Sequence, residues 1–300
     1  MSAEGLAAWR AQGRTYRHRA LDVFYRDEGA GPALIAIHGF PSASWDWDPM
    51  WPALVARFRV VAPDLVGFGY SDKPRAYPYS ILDQADMIEG LCAELGVARA
   101  HLLAHDYGDT VAQELLARAA DRARTGAAGL ELLSACLLNG GLFPEAHRAR
   151  AVQRVLASPV GALVGPLMTE RRFGASMRAI FGPATPPSRD LVRELWSLLR
   201  FNDGERVVHL LIGYMAERRA HRDRWVDAIA RASIPIRLVD GLADPVSGAH
   251  MVDRYRELVP SPDVVALAGI GHYPQIEAPT AVLAAFLALH DRVGGAGQGA

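Results

Sequence analysis

No Gly-x-Ser-x-Gly occurs anywhere in the 300 residues, which excludes an ordinary serine hydrolase. No Gly-rich segment ends in Gly-Lys-Ser/Thr, which excludes a phosphate loop of that kind. The nearest approach, Asp64 to Asp72 with Gly67 and Gly69, is expected to use its glycines to turn beside a pocket. His, Cys and Asp nowhere cluster at metal spacing, so neither a metal nor another cofactor is expected. Lysine is almost missing: Lys73 is the only one among 32 basic residues, a bias that reads as codon composition. The formal net charge of −1 offers no pull on nucleic acid or on an anionic membrane, so neither is expected as a partner. Only two cysteines are present, Cys92 and Cys136, both in apolar patterns. They read as buried core thiols and suit a reducing cytoplasm. Long apolar runs are missing too. Gly29 to Trp45 is uncharged but broken by Pro32 and Pro41. Val155 to Thr169 holds Pro159 and Pro166, is too short to span a bilayer, and reads as a cap helix facing the pocket. Met1 to Gly13 lacks the apolar centre of a signal peptide.

What is present centres on Asp106. Leu102-Leu103-Ala104-His105-Asp106-Tyr107-Gly108 runs from an apolar strand through a turn of small-x-acid-x-small form into a helical pattern from Asp109 to Ala120. That is the strand, elbow and helix of an α/β-hydrolase nucleophile, with aspartate in the serine's place. The small residues suit a tight turn with a helix packed close behind it. A carboxylate is ionised at neutral pH, its ordinary pKa being about 3.9. It can attack a saturated carbon directly and form an alkyl ester.

Three other stretches complete the pattern. His38-Gly39-Phe40-Pro41 follows the apolar run Ala33 to Ile37, and nominates the backbone N–H of Phe40, with that of Tyr107, as an oxyanion hole. His272 follows the strand-like Val264 to Leu267 and is the candidate base. Asp244, in the loop after Ile236 to Val239, is the candidate acid that orients it, with Asp240 at the end of the same strand as its rival. The order nucleophile, acid, base is the one this fold uses. The remaining histidines read as bystanders. His147 and His221 lie in Arg-rich segments and are expected to be solvated, His105 should turn away from the reacting centre, and His290 belongs to the last helix. Arg218, Arg219, Arg222 and Arg224 read as a solvated face.

Strand patterns are expected over Thr15–Glu28 (a hairpin), Ala33–Ile37, Val60–Ala62, Ala100–Leu103 and Leu132–Leu138. Ile81 to Leu95 repeats at helical spacing. Strand signals stop at Asn139 and resume at Ile234, with breaks at Pro183–Pro187 and Asn202–Gly204 between. The expected architecture is an α/β-hydrolase fold: a mostly parallel eight-stranded sheet with helices on both faces and an inserted helical cap. The core then comprises residues 1–140 and 231–300, and the cap 141–230.

The chain resembles the α/β-hydrolases with an aspartate nucleophile, the epoxide hydrolases and haloalkane dehalogenases, and most closely the mesoderm-specific transcript branch with its bacterial relatives. The resemblance rests on His38-Gly39-Phe40-Pro41 with Asp46-Trp47, His105-Asp106-Tyr107-Gly108-Asp109 with Gln113-Glu114, Asn139-Gly140-Gly141 with Phe143-Pro144-Glu145, Asn202-Asp203-Gly204, Arg224-Trp225-Val226 and Gly271-His272-Tyr273-Pro274-Gln275. It implies an Asp106 ester hydrolysed with His272 as base and Asp244 as its orienting acid. It also implies a cap tyrosine that hydrogen-bonds or protonates an epoxide oxygen, at about the place of Tyr214. The expected substrate is small and apolar: an epoxide opened to a diol or, as the alternative, a haloalkane giving alcohol and halide. A hydrolase scaffold used only for binding is the further alternative. The sequence leaves oligomeric state open.

Overall fold

A computed structural model describes residues 5–296. The expectation about a leader at Met1–Gly13 falls partly on residues 1–4, which lie outside the described ones. The sheet has eight strands: β1 Arg14–His18, β2 Leu21–Glu28, β3 Ala33–Ile37, β4 Arg59–Pro63, β5 Arg99–His105, β6 Glu131–Leu138, β7 Ile236–Gly241 and β8 Val264–Leu267. Their order is β1-β2-β4-β3-β5-β6-β7-β8. β1 pairs antiparallel with β2, and β2 with β4. Every other pairing is parallel. The central strands read as unbroken apolar runs because helices cover both faces of a parallel sheet. Leu34 to Ile37 and Leu102 to Ala104 are accordingly buried without alternation.

The helix Ile81–Glu94 starts at Ser80, whose hydroxyl accepts the Asp83 N–H, and buries Ile81, Ala85, Ile88, Leu91 and Cys92. The helix Tyr107–Thr125 is longer than its apolar pattern suggested and ends at Gly126, in a left-handed conformation. Cys92 and Cys136 are both buried and free.

Between β6 and β7 only helices occur among the described residues. The stretch expected as one helix over Val155–Thr169 is instead three short pieces: Ala151–Leu156, Gly161–Val164 and a 3₁₀ turn, Gly165–Leu167. Pro159 and Pro166 interrupt the backbone ladder, and the glycines give it no help. No helix among the described residues is long and apolar enough to cross a membrane.

Strand order places the site. From β3 the chain moves to β4 on one side, then crosses back to β5 on the other. Such a reversal opens a crevice at the carboxyl ends of the two neighbouring strands. The loop after β3 carries Phe40 and the turn after β5 carries Asp106.

Candidate active site

Asp106 occupies the turn with φ 46° and ψ −101°. Positive φ is uncommon outside glycine, and a residue held there by its surroundings marks a strained turn. The turn is fixed from below. Its N–H donates to the Leu138 carbonyl on β6 (3.1 Å). A Cβ at Gly108 would strike the carbonyl oxygens of Ile37 and His38, which are backbone and cannot yield. The small residue of the sequence pattern is therefore what lets the helix pack against the end of β3.

Asp106, Asp244 and His272 come together from three loops, all nearly fully buried. His272 Nδ1 lies 2.7 Å from Asp244 Oδ2 and donates to it. His272 Nε2 lies 3.8 Å from Asp106 Oδ2, an ion-pair distance longer than a hydrogen bond. The Phe40 N–H donates to Asp106 Oδ2 at 3.2 Å. The Tyr107 N–H, the other nominated donor, makes no such bond in this arrangement. Asp240 does not reach the imidazole; it lies beside Asn139 (3.4 Å), and burial raises its carboxyl well above the usual range, toward the neutral acid.

Asp244 is held by four further groups: the N–H of Val246 (2.7 Å) on Oδ1, and the N–H of Ser247 (3.1 Å), the hydroxyl of Ser247 (2.9 Å) and the amide of Asn139 (3.1 Å) on Oδ2. Burial alone would raise its carboxyl, but His272 and these donors hold it below the ordinary value. Burial would likewise lower His272. The Asp244 and Asp106 carboxylates outweigh that and raise it well above the usual imidazole range. Burial would raise Asp106, and His272 with Arg218 holds it below the usual carboxylate range instead.

Arg218 was expected on a solvated face, and the structure overturns this. Its side chain is buried. Nε donates to the Thr110 hydroxyl at 2.7 Å, and Nη2 to the Asp106 carbonyl oxygen at 3.0 Å, with Asp106 Oδ1 at 3.5 Å. The guanidinium also stacks on the Tyr214 ring, 4.4 Å from its centroid. The other three arginines stay at the surface: Arg219 is exposed, Arg222 pairs with Glu145, and Arg224 with Glu114. His147 is a second correction. It is half-buried with both ring nitrogens out of reach of any hydrogen-bond partner, and burial plus the nearby Arg218 pushes it down to about 4. His221 stays partly exposed, and His290 lies in the last helix, Pro279–Ala296. His105 does face away from the cavity, yet it braces His272: Nε2 lies 2.7 Å from the His272 carbonyl oxygen and serves as its donor. The signal for Arg218 was absent locally, since it lies among other arginines and its hydrogen-bond partners are over a hundred residues away. Asn139 was visible in a quoted motif, but its bond to Asp244 was not.

A cavity of about 280 Å³ ends at Asp106 and His272. The helical segment supplies most of its wall, including Leu156, Val164, Met168, Phe173 and Met177, with Phe40 and Val246 from the sheet side. No tryptophan lines it, and neither does any residue of the Gly67–Gly69 loop. That loop stands one layer back: Phe68 packs edge-on to Phe40 and against Tyr107. Tyr214 is fully buried directly behind this wall, where Gln153 Nε2, itself a wall residue, donates to its hydroxyl at 3.4 Å. Burial first and the Asp106 charge second raise the phenol, which keeps it protonated. The Tyr107 hydroxyl is raised by burial as well and is held by Gln84, away from the cavity.

A crevice at the strand reversal, with a buried acid, a second acid and an imidazole on the loops after β5, β7 and β8, defines a hydrolase of the α/β class. The chain belongs to the alpha/beta hydrolase fold family, whose model matches residues 32–279. It is 39% identical over 295 residues to the mesoderm-specific transcript protein of Mus musculus, covering 94% of this chain and 87% of that one. It is 40% identical over 290 residues to the putative hydrolase LipZ of Mycobacterium tuberculosis, covering 96% and 99%. Among solved structures it is similar to a loop variant of haloalkane dehalogenase DbeA from Bradyrhizobium elkanii (TM-score 0.79, 20% identity, 95% of this chain and 98% of that one). It is similar also to epoxide hydrolase CorEH (TM-score 0.75, 17% identity, 94% and 99%). At those identities the two structures share its fold.

Proposed function

We propose that the protein hydrolyses an electrophilic sp3 carbon, in the first place that of an epoxide, through an ester on Asp106. The observation that carries this is the carboxylate at the strained elbow, fastened by the Phe40 N–H and set 3.8 Å from a His272 already oriented by Asp244. A serine there would need the imidazole as its base; an ionised carboxylate does not. The segment between β6 and β7 acts as the cap that closes the site from bulk water.

In the first step an Asp106 oxygen bonds to the ring carbon and the ring C–O bond breaks. Its electron pair goes to the ring oxygen, which takes the Tyr214 proton. This step also prepares the next. Asp106 loses its charge on becoming an ester, and with it goes one of the two anions that raise His272. The imidazolium then gives up its proton, which restores the Tyr214 phenol, and the neutral imidazole serves as base. It takes a proton from a water that attacks the ester carbonyl, while the amides of Phe40 and Tyr107 hold the oxyanion. The intermediate expels the alkoxide, which receives that proton from His272. Asp106 re-ionises and its proton restores the His272 imidazolium. One epoxide and one water give one diol.

A haloalkane is the alternative: its leaving halide needs N–H donors and no indole lines the wall, whereas the acid an epoxide oxygen needs is the buried Tyr214 phenol one layer behind it, bonded to the wall residue Gln153. A paired screen tests the choice, with epoxides assayed for diol and haloalkanes for halide release. Diol formation without halide release is expected. Stoichiometric halide with no epoxide turned over would reverse the assignment.

A further inference from the structure

Every large hydrophobic side chain that the described residues leave exposed comes from one stretch: Val152, Val155, Val160, Leu163 and Leu167. Leu163 and Leu167 are each 68% exposed. Single exposed hydrophobics are ordinary, but a group confined to one place marks an interaction surface. The same stretch rims the cavity, since Val152 and Leu167 also line it. Around it the charge is one-sided. Residues 146–182 carry Arg148, Arg150, Arg154, Arg171, Arg172 and Arg178 against the single acid Glu170. Five of these arginines are exposed and Arg150 is half-buried, and none makes an ion pair among the described residues. Elsewhere arginines are commonly paired, as Arg118, Arg122 and Arg224 are. Arg150 and Arg172 line the cavity together with Val152 and Leu167, so charge and apolar surface meet at one mouth. The net charge of −1 conceals this segregation.

We propose that this face docks on an anionic lipid surface, with the cavity mouth opening onto the membrane interface. The apolar side chains enter the boundary between headgroups and acyl chains, and the arginines meet lipid phosphates. Docking is peripheral, because no described helix is long and apolar enough to cross a membrane. A second copy of this chain fits the face less well. A two-fold contact sets a patch against itself, here six arginines against the same six. That an apolar substrate enters from the bilayer rests on the proposed function; the docking itself does not.

Sedimentation with vesicles tests it without any substrate. The protein is expected to bind vesicles of phosphatidylcholine with phosphatidylserine, in a manner weakened by salt, and to leave vesicles of phosphatidylcholine alone largely free. Arg171→Ala with Arg172→Ala is expected to weaken binding about 25-fold, at about fivefold for each basic residue near an anionic leaflet. Val160→Ser with Leu163→Ser, both exposed and outside the cavity wall, is expected to weaken it while leaving the circular dichroism and hydrolysis of a soluble substrate unchanged. No binding, equal binding to both vesicle types, or binding indifferent to both double variants overturns the proposal. A lipid-free dimer that the Val160 and Leu163 changes convert to monomer would also overturn it, by assigning the face to a second copy.

Discussion

The guanidinium of Arg218 crosses 112 positions of sequence to reach the turn of Asp106, where Nη2 lies 3.0 Å from the carbonyl oxygen and 3.5 Å from the carboxylate. A buried cation so placed does two things. It supplies a donor to a strained backbone carbonyl, and it favours the ionised form of the acid proposed to attack. Arg218 acts through Asp106 and Thr110, as a positioning residue.

Arg218→Met is therefore expected to lower kcat by about 100-fold, the scale on which single preorganised donors matter. The acid limb of the pH profile should move upward, because burial raises the Asp106 carboxyl and one of the charges opposing it is gone. Arg218→Lys keeps the charge but cannot span Thr110 and Asp106 together. It should restore the limb more fully than kcat. A lower melting temperature with kcat and limb both unchanged would leave Arg218 a merely structural role.

His272→Gln should trap the ester. Displacement by Asp106 does not need the base, but hydrolysis of the ester does. Intact-mass spectrometry after incubation with a turned-over substrate should show an adduct that peptide mapping places on Asp106. An adduct elsewhere, or undiminished turnover, would remove the two-stage mechanism.

Asp106→Asn imitates the uncharged ester. The Asp106 carboxylate is among the causes that raise His272, so its loss should bring the imidazole down toward its ordinary value of about 6.5. In the wild type a raised imidazole lends stability that is full at pH below that ordinary value and is lost as pH rises through the raised one. The variant should lose this sooner on the alkaline side. NMR titration of the His272 ring reads the shift directly, and an unchanged or higher midpoint would contradict the coupling.

Tyr214→Phe removes the phenol while keeping its packing between Arg218 and Tyr107. General-acid assistance is typically worth roughly 10²- to 10⁴-fold, so epoxide turnover should fall within that range while the melting temperature holds. Turnover that survives this change but is lost in Tyr107→Phe would transfer the acid role to the residue beside the nucleophile.

The elements and the candidate triad were legible because each rests on local pattern. β3 and β5 are unbroken apolar runs, Ile81–Glu94 repeats at helical spacing, and Asp106, Asp244 and His272 each end or follow a strand in the order this fold uses. The preference for Asp244 over Asp240 was legible from its place in the loop beyond the strand end, but not the contact itself: only the path of that loop brings Asp244 2.7 Å from the imidazole. The burial of Arg218 and His147 was hidden for the same reason. An arginine among arginines reads as solvated, and whether its helix turns it outward or toward Asp106 depends on how the helical segment docks on the sheet. The mouth arginines and exposed valines and leucines were equally unreadable as a surface, because their grouping arises from short helices broken at Pro159 and Pro166 and folded over one cavity. Local chemistry is written in neighbouring residues; the pairing of a charge with a carbonyl 112 positions away is decided by packing alone.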